Sequence, residues 1–444
     1  MENPARIYLC FAGSLSVYGF VSQICDVKRI SLCFLFSFGV FMSILDKLSE
    51  KETWEAFYQH KLKQGNINQN DADDLRQFID SGAFLEISGH LRRGESLSLP
   101  QKTLINKSKS GKKRAVYTFN RGENYALKVL SFLLRDYDFL FTPNLYSFRR
   151  NSGVKKAVDD VLRIKDLNHR YVYKVDISNY FNSVDIGLLL PMLKEVFDSD
   201  EKLFLFFESM LTNPYAEYEG ERICESKGIM AGTPVSAFLA NLYLRDLDHW
   251  FFTQKIPYLR YSDDILVFAK DEWQLTECIR VIRQYLCDRR LTINPDKEIV
   301  SAPGEKWTFL GFSYHKGVID VSEVSLQKLK AKMRRKTKAL SRWADKKNLP
   351  GEYAAKAFIH RFNAKLYDNP VYSELTWTRW FFPVINTTIT LNEIDRYMQD
   401  CIRFLATGTR TKARFRFRYE DIKGLGYKSL VHEYYKIKQE ENEV

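Results

Sequence analysis

Residues 256–269 read Ile256-Pro257-Tyr258-Leu259-Arg260-Tyr261-Ser262-Asp263-Asp264-Ile265-Leu266-Val267-Phe268-Ala269. Aromatic and branched apolar residues on both sides of a short polar centre predict two strands joined by a tight turn. Such a hairpin carries two adjacent aspartates, Asp263 and Asp264, at its tip. Because neighbouring carboxylates repel each other, the tip is either a solvated polar turn or a place where a divalent cation binds.

A third aspartate follows another predicted strand. Residues 171–181 read YVYKVDISNYF, in which β-forming residues alternate up to Asp176 and aromatic residues follow it. Three carboxylates that converge from two strand ends would hold two hard cations about 3.5–4 Å apart, the arrangement that serves nucleotidyl transfer. Two Mg²⁺ ions suit such a site because Mg²⁺ combines few carboxylates with substrate phosphate oxygens, and Mn²⁺ is the alternative ion.

At these residues the chain resembles the reverse transcriptases. The segment around Asp176 resembles their motif A, and YSDD at 261–264 resembles their Tyr-x-Asp-Asp motif C. Further motifs follow in the family's order: KKRAV at 112–116 and YSFRR at 146–150 resemble the fingers motifs, GIMAGTPVSAFLAN at 228–241 motif B, LTINPDK at 291–297 motif D, and FLGF at 309–312 the primer-grip motif E. The resemblance covers roughly residues 100–320. It implies an α+β right-hand polymerase with fingers, a palm built on an antiparallel sheet, a helical thumb and a helical C-terminal extension.

The resemblance also implies the roles of the acidic and basic groups of the reaction. Asp176 and Asp263 would be the primary metal ligands, and Asp264 would bind a metal directly or tune the site. Lys297 would be the general acid beside the departing pyrophosphate, and the alternative for this residue is a solvated loop lysine.

A second set of residues would bind the incoming nucleotide and the primer. Phe181 matches the aromatic gate that excludes a 2′-hydroxyl and so favours deoxynucleotides, and the alternative is simple core packing. The remaining nucleotide-binding candidates are Lys112, Arg114, Arg149, Ala231 and Gly232, among which the two arginines would neutralise triphosphate oxygens. The primer-grip candidates are Phe309, Leu310 and Gly311.

Motif B departs from the pattern of many reverse transcriptases, which carry Pro-Gln-Gly where this chain has Met230-Ala231-Gly232. The residue pattern of motif B, and the sequence YEDIKGLGYKSLV at 419–431, resemble those of the abortive-infection and "unknown group" defence-associated reverse transcriptases. That similarity implies a bacterial antiviral enzyme that copies an associated noncoding RNA into cDNA from dNTPs. Two alternatives stay open: template-independent, protein-primed DNA synthesis, and a non-catalytic RNA-binding scaffold.

The formal net charge of +12 predicts a polyanionic partner. Basic residues crowd 328–342, and a second basic run at 410–418 is interleaved with aromatic residues that can stack on unpaired bases. The alternatives are a solvated helix face for the first run and an edge strand with outward arginines for the second. The residues that we expect to bind nucleic acid are Lys332, Arg334, Arg335, Arg414, Arg416 and Arg418.

The seven cysteines form no Cys-x-x-Cys pair and the seven histidines no His-Glu-x-x-His motif, so no zinc site is predicted. Free thiols are typical of a reducing cytoplasm, which is the expected location. Residues 1–41 hold two uncharged runs that permit three interpretations: an over-extended gene start, a membrane anchor or a hydrophobic interaction segment. We favour the first and expect no stable membrane association, and a homo-oligomer is left open.

The expected organisation is a helical region at 42–100, fingers at 101–170, a palm at 171–320, and a helical thumb with its extension at 321–444. Within this plan the sequence predicts helices at 43–63 and 72–79, a Lys/Ser-rich loop at 99–111, and one long helix from Ser236 through Trp250.

Overall fold

The computed structural model describes residues 42–65, 67–106, 113–150, 152–367 and 376–442. The expectations for residues 1–41 and for Lys112 lie outside these ranges. From Ser43 onward the chain forms one unit. No helix in the described part of the chain is both long and apolar enough to cross a bilayer.

The N-terminal region is helical, as predicted, with more breaks than the pattern shows. Its helices are α1 (Ile44–Lys47), α2 (Lys51–Gln64), α3 (Gln69–Asp80) and α4 (Phe84–Arg92). Ser43 caps α1 by accepting a hydrogen bond from the amide of Leu45 at 3.2 Å. The single helix predicted at 43–63 is therefore two helices, which bury Leu45, Trp54 and Phe57 in a shared core.

The predicted loop at 99–111 is wrong over residues 101–106, which form a strand, and its remainder from 107 lies outside the described ranges. β1 (Gln101–Asn106) pairs antiparallel with β2 (Lys113–Thr118), in a register that runs from Gln101 opposite Thr118 to Asn106 opposite Lys113. Few of its side chains are buried, so the strand lacks the apolar alternation by which a sequence reveals one. Two helices follow, α5 (Arg121–Leu133) and α6 (Val154–Leu162).

The central region combines a sheet with helices on its faces. Its elements are β3 (Tyr171–Asp176), α7 (Tyr180–Ser183), α8 (Ile186–Val196), α9 (Glu201–Thr212), β4 (Tyr215–Tyr218), β5 (Glu221–Cys224), α10 (Ser236–Tyr243), α11 (Arg245–Thr253), β6 (Tyr258–Tyr261), β7 (Asp264–Ala269), α12 (Glu272–Asp288) and β8 (Ile299–Ser301). The sheet order is β6-β7-β3-β8, and all of its pairs are antiparallel. A second sheet, β2-β1-β4-β5, lies nearer the N-terminus.

Both faces of the central sheet are buried. Along β7, Ile265 and Val267 pack into one apolar core, whereas Leu266 and Phe268 pack into the other. Because successive strand residues point to opposite faces, one short apolar run supplies both cores. The sheet therefore fixes the position of the turn that β6 and β7 carry.

The long helix predicted from Ser236 through Trp250 is broken at Leu244, between α10 and α11. The break leaves the main-chain oxygen of Asn241 near a helix end, where carbonyls lack intrahelical partners. Arg260 Nη2 donates to that oxygen at 3.1 Å. The interruption is thus tied to the strand that leads into the Asp263 turn.

The C-terminal part begins with a small sheet. It then continues as helices, as predicted. Its elements are β9 (Trp307–Phe309), β10 (Phe312–His315), β11 (Val318–Val321), α13 (Glu323–Lys347), α14 (Gly351–Leu366), α15 (Trp377–Phe381), α16 (Ile389–Thr407), α17 (Tyr419–Gly424) and α18 (Leu430–Asn442). Asp395, buried on α16, accepts hydrogen bonds from Tyr427 and Ser429 and from the amides of Leu430 and Val431. This one carboxylate fastens the last helix to α16.

Candidate active site

The hairpin predicted around Asp263 is present. β6 and β7 are joined by Ser262 and Asp263, with Tyr261 opposite Asp264. Ser262 has φ +60°, a left-handed conformation that is uncommon outside glycine. Its amide donates to Ser147 Oγ at 2.8 Å, and the Asp263 carbonyl accepts from the amide of Ile177 at 3.2 Å. These contacts hold the turn against β3 and against the segment that precedes α6.

A buried ion pair between β6 and α11 holds the β6–β7 hairpin in place. Arg260 is fully buried in β6, and its guanidinium binds Asp248 of α11 through two hydrogen bonds of 2.7 and 2.5 Å. Tyr258 also donates to Asp248, at 2.8 Å, and a further nitrogen of Arg260 donates to the Ser262 carbonyl at 3.3 Å. From the sequence, Arg260 was expected to be an ordinary strand residue. An arginine inside an otherwise apolar strand was the available signal, because such a charge is rarely buried without a partner.

The three candidate carboxylates meet where β3 and β7 pair. Asp176 and Asp264 are directly opposite in the register, and Asp263 is the next residue back in the turn. Burial raises the pKa of Asp263, and the charge of Asp176 raises it further. Burial also raises the pKa of Asp264, to about 6; the charge of Lys174 lowers it, and repulsion from Asp263 and Asp176 raises it. The charge of Asp176 is therefore close enough to disfavour ionisation of Asp263 and Asp264.

Lys297 reaches this cluster from a 3₁₀ turn, Pro295–Lys297. Its Nζ lies 2.5 Å from Asp176 Oδ1, and Asn294 Nδ2 lies 3.4 Å from the other oxygen of the same carboxylate. Asp176 is only 4% exposed, whereas the Lys297 side chain is 53% exposed. Lys297 was selected from motif D as a proton donor, and in this structure its ammonium neutralises Asp176.

The donor set fits Mg²⁺, because the cluster offers carboxylate oxygens and no sulfur or imidazole, and Mg²⁺ needs few of them when phosphate oxygens complete its shell. The fit is incomplete within the protein itself. Among the described residues, no three or more histidine, cysteine, aspartate or glutamate side chains are arranged as a finished metal site. A chelating substrate would have to supply the remaining ligands.

The two arginines predicted to bind the triphosphate have different surroundings. Arg114 lies exposed on β2, and its charge lowers the pKa of Asp263 against the larger effect of burial, so it lies within electrostatic reach of the cluster. Arg149 instead binds Asp138 through two hydrogen bonds of 2.8 and 2.9 Å and donates to the Thr142 carbonyl at 2.5 Å. With its guanidinium thus occupied, Arg149 acts here as a structural clamp. Its assignment to the triphosphate stays a prediction that these contacts do not favour.

Motif B lies against the gate candidate Phe181. The amide of Ile229 donates to the Phe181 carbonyl at 2.9 Å. Gly228 has φ +53°, and a Cβ there would lie 2.7 Å from the carbonyl carbon of Asn182, so only glycine permits this approach. Ala231 and Gly232 follow directly, and the amide of Tyr117 in β2 donates to the Ala231 carbonyl at 2.8 Å. The predicted nucleotide-binding residues of motifs A and B are thus neighbours.

The primer-grip candidates form the turn between β9 and β10. Leu310 and Gly311 have φ +50° and +89°, as a two-residue hairpin turn of the I′ type requires. Phe309 is buried beside this turn. Trp380 Nε1 donates to the Leu310 carbonyl at 3.2 Å, which fixes the turn against α15.

The predicted nucleic-acid-binding residues lie on two separate surfaces. Lys332, Arg334 and Arg335 are exposed on α13, opposite its buried apolar face. The alternative of an edge strand at 410–418 is wrong, because a 3₁₀ helix, Lys412–Arg416, occupies this run. Arg416 and Arg418 are exposed there, whereas Arg414 pairs with Asp400 at 3.3 Å and stacks over Phe415.

Residues 105–314 match the family described as "Reverse transcriptase (RNA-dependent DNA polymerase)". This part of the chain is a reverse transcriptase domain with the right-hand polymerase fold, and the enzyme class that it defines is a nucleotidyltransferase. No curated protein matches the chain in sequence.

Two solved structures are similar to part of this chain. One is apo telomerase from Candida tropicalis truncated from the C-terminal domain, with a TM-score of 0.40, 15% identity, and coverage of 50% of this chain and 55% of that one. The other is telomerase from Candida albicans in complex with a TWJ fragment of telomeric RNA, with a TM-score of 0.42, 12% identity, and coverage of 75% of this chain and 62% of that one. The chain thus spans little more than half the length of these telomerases.

Proposed function

We propose that the chain is an RNA-directed DNA polymerase that copies an associated noncoding RNA into cDNA as part of bacterial antiviral defence. The observation that carries the catalytic part is the carboxylate cluster at the tip of the β6–β7 hairpin. Within a reverse transcriptase domain, Asp263 and Asp264 have no ion pair among the described side chains and are buried enough to raise their pKa values. An uncompensated buried charge costs stability, and a chain retains one where a cation offsets it.

Asp176 and Asp263 would hold the divalent ions, and Asp264, directly opposite Asp176 in the register, would tune the charge of the site. Bound Mg²⁺ supplies Lewis-acid activation of the primer 3′-hydroxyl and neutralises the triphosphate. Arg114 would neutralise triphosphate oxygens from β2, since its charge already acts on Asp263. Because Phe181 is half-buried and follows Asp176 closely, its ring would exclude a ribose 2′-hydroxyl.

Lys297 has two tasks in this proposal. Without nucleotide, its ammonium neutralises Asp176 across 2.5 Å. The mostly exposed side chain is free to swing toward phosphate oxygens, where Nζ would donate a proton to the departing pyrophosphate. The ion pair thus keeps the buried carboxylate compensated until substrate arrives.

The RNA partner would bind the helical C-terminal part. Besides Lys332, Arg334 and Arg335, an open groove of about 440 Å³ lies between α13 and α14. We call it the thumb groove, and it is lined by Lys336, Leu340, Tyr353, Lys356, Ala357, His360 and Arg361. None of its lysines or its arginine is ion-paired with another described residue, and Tyr353 is exposed. Unpaired cations beside an exposed aromatic ring suit phosphates and unstacked bases.

The proposal is tested by sequencing the nucleic acids that copurify with wild-type protein and with Asp263→Ala. We expect a discrete RNA with both proteins and its complementary DNA with the wild type alone. Incorporation of dNTPs on that RNA should fall at least a thousandfold in the variant, because an ion ligand is lost, while RNA binding stays within about twofold. Asp73→Ala, on the exposed face of α3, is the matched control and should retain full activity.

Other outcomes separate the alternatives. DNA unrelated to any bound RNA would indicate template-independent, protein-primed synthesis. Polymerisation that survives Asp263→Ala would contradict the assigned site, and RNA without cDNA from infected cells would favour the scaffold. Protection of bacteria from phage that persists in Asp263→Ala would remove catalysis from the defence role.

A further inference from the structure

One side chain connects three of the motifs that surround the proposed nucleotide site. Asn182, in α7, follows the gate candidate Phe181 and is half-buried. Its Nδ2 donates to the Ala115 carbonyl of β2 at 3.1 Å, and its Oδ1 accepts from the amide of Ala231 at 2.9 Å. Because a carbonyl can only accept and an amide N–H can only donate, these partners fix the orientation of the side-chain amide.

The surrounding backbone makes the same junction rigid. Ala231 is held on both sides, since its amide binds Asn182 and its carbonyl accepts from Tyr117 of β2. A Cβ on Gly232 would lie 3.0 Å from the Tyr117 carbonyl oxygen, so motif B and β2 are in close contact. β2, α7 and the motif B loop therefore meet at Asn182.

We propose that Asn182 is a positioning residue that sets the selectivity for deoxynucleotides by fixing Phe181 relative to β2 and motif B. The inference rests on the proposed polymerase function and deepens it. Motif B offers Ala231 where many relatives carry a glutamine, so in this chain the loop is held through its backbone by a side chain from motif A. Without the Asn182 side-chain amide, the segment that carries the Phe181 ring would lose two of the hydrogen bonds that join it to β2 and motif B.

The test compares the efficiencies of dNTP and rNTP incorporation, as kcat/KM, for wild type, Asn182→Ala, Asn182→Asp and Phe181→Ala. We expect Asn182→Ala to reduce the dNTP/rNTP ratio about tenfold, mostly through a higher KM for dNTP, because two hydrogen bonds are lost. Asn182→Asp keeps the acceptor for Ala231 but replaces the donor to Ala115, and should give an intermediate ratio. Asn392→Ala removes a comparable side-chain to backbone hydrogen bond at an exposed position of α16 and should leave the dNTP/rNTP ratio unchanged.

The double variant Phe181→Ala/Asn182→Ala decides whether Asn182 acts through Phe181. If it does, the selectivity of the double variant equals that of Phe181→Ala, whereas independent effects would multiply. Amide exchange at Ala231 should also accelerate in Asn182→Ala, a readout that needs no turnover. Equal losses for dNTP and rNTP in an active Asn182→Ala enzyme would overturn this inference alone. A wild type that incorporates no nucleotide would overturn the proposed function and the selectivity with it.

Discussion

Aspartates in two neighbouring regions of this molecule have opposite surroundings. Asp248, which packs against the β6–β7 hairpin, is met by Arg260 through two hydrogen bonds and by the Tyr258 hydroxyl. Asp263 and Asp264, at the tip of the same hairpin, meet other carboxylates, and burial raises their pKa values. Asp248 is ion-paired inside the protein, whereas Asp263 and Asp264 form no ion pair among the described residues.

Under the proposed function, Arg260–Asp248 maintains the fold, whereas Asp263 and Asp264 would bind a ligand. In a buried pair such as Arg260–Asp248, the charged groups are already hydrogen-bonded to each other. The pair therefore positions the backbone and is not available to bind a substrate. Carboxylates that repel each other store a cost that a bound cation would relieve. This contrast predicts effects on stability, on the pH dependence of stability and on ligand binding. Each of these predictions can contradict the contrast.

The largest effect is expected from removing the buried cation. Arg260→Met leaves Asp248 buried and unpaired, so the free energy of unfolding should fall by about 3–5 kcal/mol in denaturant titrations. Arg283→Met breaks an ion pair with Glu298 in which the arginine is exposed, and should cost less than about 1 kcal/mol. Equal losses in the two variants would show that Arg260–Asp248 is no more structural than a surface pair. Arg260→Met/Asp248→Leu should recover part of the loss, since no unpaired charge remains.

A smaller effect of opposite sign is expected at the hairpin tip. The pKa of Asp264 is raised from 3.8 to about 6, so the folded state holds a proton more tightly than the unfolded state. In metal-free buffer this aspartate has no effect below about pH 4, and it lowers stability progressively as the pH rises to about 6. Asp264→Asn should therefore raise the free energy of unfolding by about 1–3 kcal/mol at pH 7.5 and leave it unchanged at pH 4.

Unfolding curves with EDTA at both pH values check this prediction, with Asp73→Asn as an exposed control. Destabilisation by Asp264→Asn at pH 7.5 would mean that the carboxylate is compensated in the protein. In that case the contrast with Asp248 would be lost.

The smallest effect is expected at the thumb groove, where the unpaired charges are cations. If unpaired charge marks a ligand site there too, Lys336→Gln and Arg361→Gln should each weaken binding of single-stranded RNA. Each should also reduce the slope of log K against log salt by about 0.7, because one phosphate contact is lost. Fluorescence anisotropy over a salt series measures both quantities. Lys338→Gln, on the same helix but outside the groove, should change neither, and an equal change there would reduce the groove to general surface charge.

Much of the fold follows from local pattern. The alternation around Asp176 and Asp263 predicted β3, β6 and β7, and apolar spacing predicted helical structure over α2 and α3. β1 was missed because its stability comes from pairing with β2 and from contact with β4, and little of it is buried. The break at Leu244 was missed because continuous helical periodicity does not reveal a carbonyl needed by Arg260.

The site divides in the same way. Asp176, Asp263, Asp264 and Lys297 were selected from motifs, and the structure brings them together. Arg149 was selected by the same reasoning, and the structure engages it with Asp138. A motif records which residue types occur at which spacing. It does not show whether a guanidinium is already bound to a carboxylate of the protein and so is unavailable to a ligand.

The sequence by itself determined the hairpin with its two aspartates, the strand that ends at Asp176, the basic C-terminal helices and the reverse transcriptase character of the central region. These are properties of residue type and short spacing. Only the tertiary structure decided that Asp248 is compensated while Asp263 and Asp264 are not, that Arg149 is a clamp, and that Asn182 joins β2 to motif B. The physical reason is that hydrogen-bond and charge compensation depend on partners distant in the chain, which only folding brings within about 3 Å.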